Sequence, residues 1–135
     1  MTTNPSLVDE VEGLVRQLAD DLTQPRPNEC LCCYVARMLD EFSCDGTHRH
    51  AFRYRDATAP RATALRERLR RIGACCCDCE MFLNAYVLRA DWERRMAGDL
   101  ADGEDGSEPV PPCQGVRRGS VRPCGNWLLV RPYRG

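Results

Sequence analysis

The sequence predicts a mainly α-helical domain of about four helices with a small C-terminal β element. Three observations lead there. Four stretches repeat apolar residues every three or four positions, the spacing of one helix face. Pro and Gly bound those stretches where helices start and stop. Leu, Ile, Val and Phe make up just under a fifth of the 135 residues, while Cys numbers ten. A chain of this length suits one domain, and so lean a core needs a staple.

The first helix is expected to begin at Ser6 as N-cap, with Leu7, Val11, Leu14, Leu18 and Leu22 along one stripe and Val8 and Val15 beside it. Pro25 and Pro27 end it. A second helix is expected from about Cys30 to Phe42, its stripe being Leu31, Val35, Met38 and Phe42. A polar, Arg-rich connection containing His48 and His50 follows. Pro60 suits the first turn of a third helix that buries Leu65, Leu69 and Ile72 and stops at Gly73. The fourth is expected from Asp78 to Gly98, on the stripe Met81, Ala85, Leu88, Trp92 and Met96.

Residues 99–112 are acidic, contain Gly and Pro, and lack an apolar period, so they read as a linker after a helical unit spanning residues 1–98. Residues 113–135, with Trp127-Leu-Leu-Val130, read as a short β segment docked on that unit.

Net charge is −1, and every basic residue is Arg. The charges are segregated: residues 1–46 and 78–108 are mostly acidic, residues 47–72 and the stretch from Pro109 mostly basic. Balanced blocks of this kind fit internal pairing better than a nucleic-acid footprint, so nucleic acid is not the expected partner. The first dozen residues carry Asp9, Glu10 and Glu12 and no apolar run of the signal-peptide kind, and no stretch approaches transmembrane length. The expected location is therefore the cytoplasm. In that reducing setting, clustered cysteines read as metal ligands or redox groups and not as a disulfide framework.

The cysteines fall into three groups: Cys30, Cys32, Cys33 and Cys44; Cys75, Cys76, Cys77 and Cys79; and Cys113 with Cys124. Cys30 and Cys33 share the first turn of the second helix, away from its apolar face, where two thiols can pinch an ion. Cys32 falls at the edge of the apolar stripe and reads as a small buried group. Cys77 and Cys79 stand at a helix start, where free N–H groups favour thiolates. Cys-x-x-Cys plus Cys-x-Cys would give zinc its four sulfurs, with Cys44 a fifth candidate. The metal candidates are thus Cys30, Cys33, Cys44, Cys77 and Cys79, and the expected ion is one structural zinc joining the starts of the second and fourth helices. His48 and His50 are weaker candidates, fitting a solvated loop at least as well. Cys113 and Cys124 fit either a second weak site or free surface thiols.

With these residues in view, the chain resembles a bacterial family of domains of unknown function, number 2695 in that series. The resemblance rests on Cys44-Asp45-Gly46-Thr47 and on Gly73 followed by Cys77-Asp78-Cys79-Glu80 and Asn84. It covers roughly residues 28–90, with three residues between Gly73 and Cys77 where the family has two. A longer version of the family carries equivalents of Cys30-Leu-Cys-Cys33-Tyr34 and of Cys113-Gln-Gly-Val-Arg through Pro123-Cys124-Gly-Asn-Trp127. The resemblance implies Cys44, Cys77 and Cys79 as ligands, completed by Cys33 or Cys30, and implies no activity.

The expected role is a non-catalytic accessory or interaction module with an unidentified protein partner. The rival reading is a thiol-redox protein using Cys30 and Cys33, or a metal-dependent enzyme with an open site at Cys77 and Cys79 and Glu80 as general base. No phosphate loop, nucleophile–base pair or paired-carboxylate motif appears.

Overall fold

The computed structural model describes residues 5–98 and 110–130, with side chains from Leu7 onward. Most of the expected linker, residues 99–109, lies outside the described residues. The architecture is mainly α with a small β element, as the spacing predicts. In order, α1 is Pro5–Leu22, α2 Leu31–Phe42, α3 Arg49–Thr58 and α4 Leu65–Arg71; a π-helical turn Met81–Ala85 leads into β1, Tyr86–Leu88; α5 is Arg89–Met96 and β2 Trp127–Leu129.

The core lies where α2, α3, α4 and the two strands meet. Leu31, Val35 and Met38 of α2 are buried, while Phe42, the last of that stripe, is partly exposed. Leu65, Leu69 and Ile72 are buried in turn. Gly73 (φ +98°) closes α4: its N–H donates to the Arg70 carbonyl at 3.2 Å and the Ala74 N–H to the Leu69 carbonyl at 2.8 Å. That pair of bonds is the Schellman motif, and its left-handed residue is the reason for a glycine there.

Two expectations need correction. The connection carrying His48 and His50 contains a helix, α3, whose His50, Ala51 and Tyr54 are buried. Its cap comes from far along the chain. The Asp78 carboxylate accepts the backbone N–H groups of His50 at 2.9 Å and Ala51 at 3.1 Å, and locally only the Thr47 hydroxyl contributes, accepting the Arg49 N–H at 3.2 Å. The expected fourth helix, from Asp78 to Gly98, is interrupted. Residues 86–88 leave the helix to pair antiparallel with β2, in the register Tyr86↔Leu129, Val87↔Leu128 and Leu88↔Trp127. Arg89 N–H to the Asn126 carbonyl (2.8 Å) and Val130 N–H to the Ala85 carbonyl (2.7 Å) extend the ladder. Tertiary pairing overrides the helical spacing at Tyr86 and Val87, both strand-favouring residue types. Met81 and Ala85 stay buried, whereas Trp92 and Met96 are exposed.

Helix α1 stands apart from that core. Leu7, Val11, Leu14, Val15, Leu18 and Leu22 are all more than half exposed, with Leu14 at 70%. Its attachment is polar and sits at its C-terminal end, where Arg53 pairs with Asp20 at 3.5 Å. The Tyr34 hydroxyl donates to the Thr23 carbonyl just beyond the helix, at 2.7 Å. Among the described residues, no helix is long and apolar enough to cross a membrane.

Candidate metal centre

The start of α2 is fixed before any thiol is considered. Glu29 is buried, and Arg37 holds its carboxylate through two bonds, Nε at 3.1 Å and Nη2 at 2.8 Å. The Arg26 N–H donates to the same carboxylate at 3.1 Å, closing the turn ahead of the helix. Cys30 follows as the N-cap of α2, in extended conformation, and its sulfur accepts the Cys33 N–H at 3.3 Å. A thiol thereby does the work of the usual Ser or Asp cap.

The chain then returns across 83 residues to the same spot. The Cys30 N–H donates to the Cys113 sulfur at 3.3 Å, and the Gly115 N–H donates to it at 3.4 Å. Gly115 has φ +86°, and the Val116 N–H bonds the Asn28 carbonyl at 2.9 Å, seating this turn against the entry to α2. Cys124 completes the group, its sulfur 3.7 Å from that of Cys33. The Trp127 indole N–H donates to the Cys33 sulfur at 3.3 Å.

Cys30, Cys33, Cys113 and Cys124 thus offer four sulfurs lying within 4.8 Å of one another, a group that could hold a metal ion. Sulfurs bound tetrahedrally to zinc, with bonds of about 2.3 Å, lie about 3.8 Å apart, close to the Cys33–Cys124 separation. Cys30, Cys33 and Cys124 are buried and Cys113 is half-buried. N–H donors from Cys30, Cys33, Gly115 and Trp127 point at these sulfurs and would offset the negative charge of thiolates in a dry site. The Cys30 thiol is held down at about 5, chiefly because the Cys33 thiol donates to it, against the opposing effect of burial. Cys33 is pushed up by the same bond, and Cys113 by burial.

This arrangement differs from the expected single site. Cys30 and Cys33 gather with Cys113 and Cys124, not with Cys77 and Cys79. The physical reason is Asp78. By capping α3, and by its own N–H bond to the Thr47 carbonyl (3.1 Å), it ties the loop carrying Cys77 and Cys79 to residues 44–47. The Cys44 thiol there is electrostatically linked to the thiols of both Cys77 and Cys79. Its pKa is lowered, first by the Gly46 N–H, which donates to its sulfur at 3.4 Å. Cys79 is pushed up to about 11, chiefly by donating to Cys44.

The remaining candidates serve other ends. His48 donates from Nε2 to the Ala74 carbonyl at 2.7 Å, and His50 from Nε2 to the Ser43 carbonyl at 3.1 Å, so both rings brace loops. Cys32 is fully buried in the core. Cys75 and Cys76 are exposed, their sulfurs 2.6 Å apart, and the Glu80 carboxylate completes a second group of potential ligands with them. A clue to Cys113 and Cys124 is the glycine that follows each, a signal that Cys44-Asp45-Gly46 shares. Gly115 supplies a left-handed turn whose N–H meets the Cys113 sulfur.

No curated protein and no solved structure matches the chain. Residues 31–84 match the model of a family described as "Protein of unknown function (DUF2695)", the family that the Cys44-Asp45-Gly46-Thr47 and Cys77-Asp78-Cys79-Glu80 motifs resemble.

Proposed function

We propose that this protein is a non-catalytic interaction module folded around one structural zinc held by Cys30, Cys33, Cys113 and Cys124. The observation that carries the reading is the set of four sulfurs, three buried and that of Cys113 half-buried, supplied with N–H donors. Structural zinc sites are closed tetrahedra of this kind, whereas catalytic ones keep a position open for water or substrate. Zinc there would join the start of α2 to residues 113–124, adding to the Val116–Asn28 and Tyr54–Ser120 hydrogen bonds that already seat this segment. A redox use of Cys30 and Cys33 would need accessible thiols, and Cys30 is fully buried. All ten cysteines are free, which suits a reducing cytoplasm.

The partner-facing element in this reading is α1. Its apolar stripe is flanked by Asp9, Glu10, Glu12, Asp20 and Asp21 against the single Arg16. Such a face fits a protein groove with an apolar floor and basic rims, and its acidity disfavours nucleic acid.

The test is elemental analysis with thiol counting, on protein purified without chelator. The expected result is about one chelator-resistant zinc per chain, with about four thiols protected, lost together in Cys113→Ser. A chain without metal and with every thiol reactive would overturn the reading.

A further inference from the structure

A second set of thiols repeats the local geometry of the first. In the closed cluster, Cys113 sits in a Cys-x-Gly turn: Gly115 has φ +86°, and its N–H donates to the Cys113 sulfur at 3.4 Å. Cys44-Asp45-Gly46 is the same turn. Gly46 also has φ +86°, and its N–H donates to the Cys44 sulfur at the same 3.4 Å. Nothing lies within 4 Å of a Cβ placed at Gly46, so what calls for glycine there is the left-handed backbone and not space. A backbone N–H aimed at a sulfur favours the thiolate, the form in which cysteine binds metals.

The rest of the set is brought to Cys44 by Asp78. Its carboxylate, fully buried, fixes the N-terminus of α3, and its N–H fixes Thr47. Cys77 and Cys79 flank it, on the loop that this N–H holds against residues 44–47. The Glu80 carboxylate stands next to them, Oε1 3.8 Å from the Cys77 sulfur. Asp45 stiffens the opposite loop by accepting the Thr47 N–H at 2.9 Å.

We propose that Cys44, Cys77 and Cys79 form a second metal site, for a thiophilic d10 cation of the zinc class, with Glu80 as the fourth donor. On binding, each thiol gives its proton to solvent and the ion takes three thiolates and one carboxylate oxygen. All three cysteines are half-buried, where Cys30, Cys33 and Cys124 are buried, so this ion meets solvent and exchanges. The proposal is independent of the closed cluster: either site can fail without the other.

The experiment loads the full chain with zinc, removes the excess, and follows transfer to a chromogenic chelator. The expected result is about two zinc ions per chain, released in a fast and a slow phase of about equal size. Cys44→Ser, and separately the Cys77→Ser/Cys79→Ser pair, should abolish the fast phase and leave the slow one. Cys113→Ser should abolish the slow phase. Cys75→Ser/Cys76→Ser, which removes no proposed ligand and only the Cys75 thiol contact to Glu80, should change neither. Cadmium NMR of the cadmium-loaded chain adds a readout that needs no variant, one four-sulfur and one three-sulfur, one-oxygen resonance. A wild-type chain with only the slow equivalent would overturn the proposal. So would a fast phase that survives Cys44→Ser, or one lost in Cys75→Ser/Cys76→Ser and kept in the other variants.

Discussion

In one cluster, Cys30, Cys33 and Cys124 lie buried beside Trp127; in the other, Cys44, Cys77 and Cys79 sit half-covered at the edge of two loops. Both use a Cys-x-Gly turn with the same φ and the same N–H to sulfur distance. What separates them is how far apart their members lie in the chain and what excludes water. The closed cluster joins the start of α2 to a segment more than 80 residues on, so an ion there closes a long-range contact that otherwise rests on a few hydrogen bonds and small apolar contacts. The exposed one joins loops that Asp78 already ties, so an ion there adds little to the fold. Binding energy becomes folding energy only where the site is not otherwise assembled.

The largest effect should therefore come from the closed cluster. Cys113→Ser and Cys124→Ser should each remove a metal and cost several kcal/mol, on the order of the whole stability of a small domain. Loss of the cooperative melt and release of residues 113–124 to protease would report it. Cys44→Ser should leave the melting temperature within a few degrees of the wild type, and a collapse in that variant would break the contrast between the clusters.

Next in size is Asp78. Asn in its place can accept one of the two N–H groups of α3 and leaves the other unpaired and buried, at a cost of about 2 kcal/mol. Denaturant unfolding of Asp78→Asn should show that loss, with amide exchange rising first over Arg49–Thr58. Metal held by Cys30, Cys33, Cys113 and Cys124 should be unaffected.

That same residue marks where the sequence stops being legible. The core faces of α2 and α4 can be read from it because their signals are local: Leu31, Val35 and Met38 at helical spacing, and Leu65, Leu69 and Ile72 ahead of Gly73. Helix α3 cannot, since its cap stands about thirty positions downstream and its buried Tyr54 sits among Arg residues. Strand β1 cannot either, because Tyr86 and Val87 are strand only through Leu128 and Leu129. Cys30 and Cys33 are recognisable as a pair on one helical turn, but the choice of their partners depends on how the chain returns. The glycines after Cys113 and Cys124 do not decide it, because Gly46 follows Cys44 in the same way.

A pH scan sharpens the contrast between core and surface. Burial pushes Tyr54 and Tyr86 up to about 12, from an ordinary value of 10.0. Their folded pKa lies above the unfolded one, so the stability linked to it is fully present below pH 10 and is lost as pH rises through 12. Alkaline unfolding of the zinc-loaded chain should begin in that window, with tyrosinate absorbance appearing together with loss of structure. Tyr86→Phe should flatten the pH dependence.

The smallest effect on stability should come from the most apolar surface. Leu14 is 70% exposed on α1, and an unpacked Leu contributes almost nothing to the fold, so Leu14→Glu should change unfolding free energy by less than about 0.5 kcal/mol. Cavity-forming changes in a core cost about 2–5 kcal/mol, and Leu69→Ala, at 1% exposure, should fall in that range. If Leu14→Glu costs as much as Leu69→Ala at micromolar concentration, and the cost disappears on dilution, the apolar face of α1 is covered by a second copy of the chain. If it costs little at every concentration, that face is free in the isolated protein and open to a different partner, the condition on which the interaction-module reading depends.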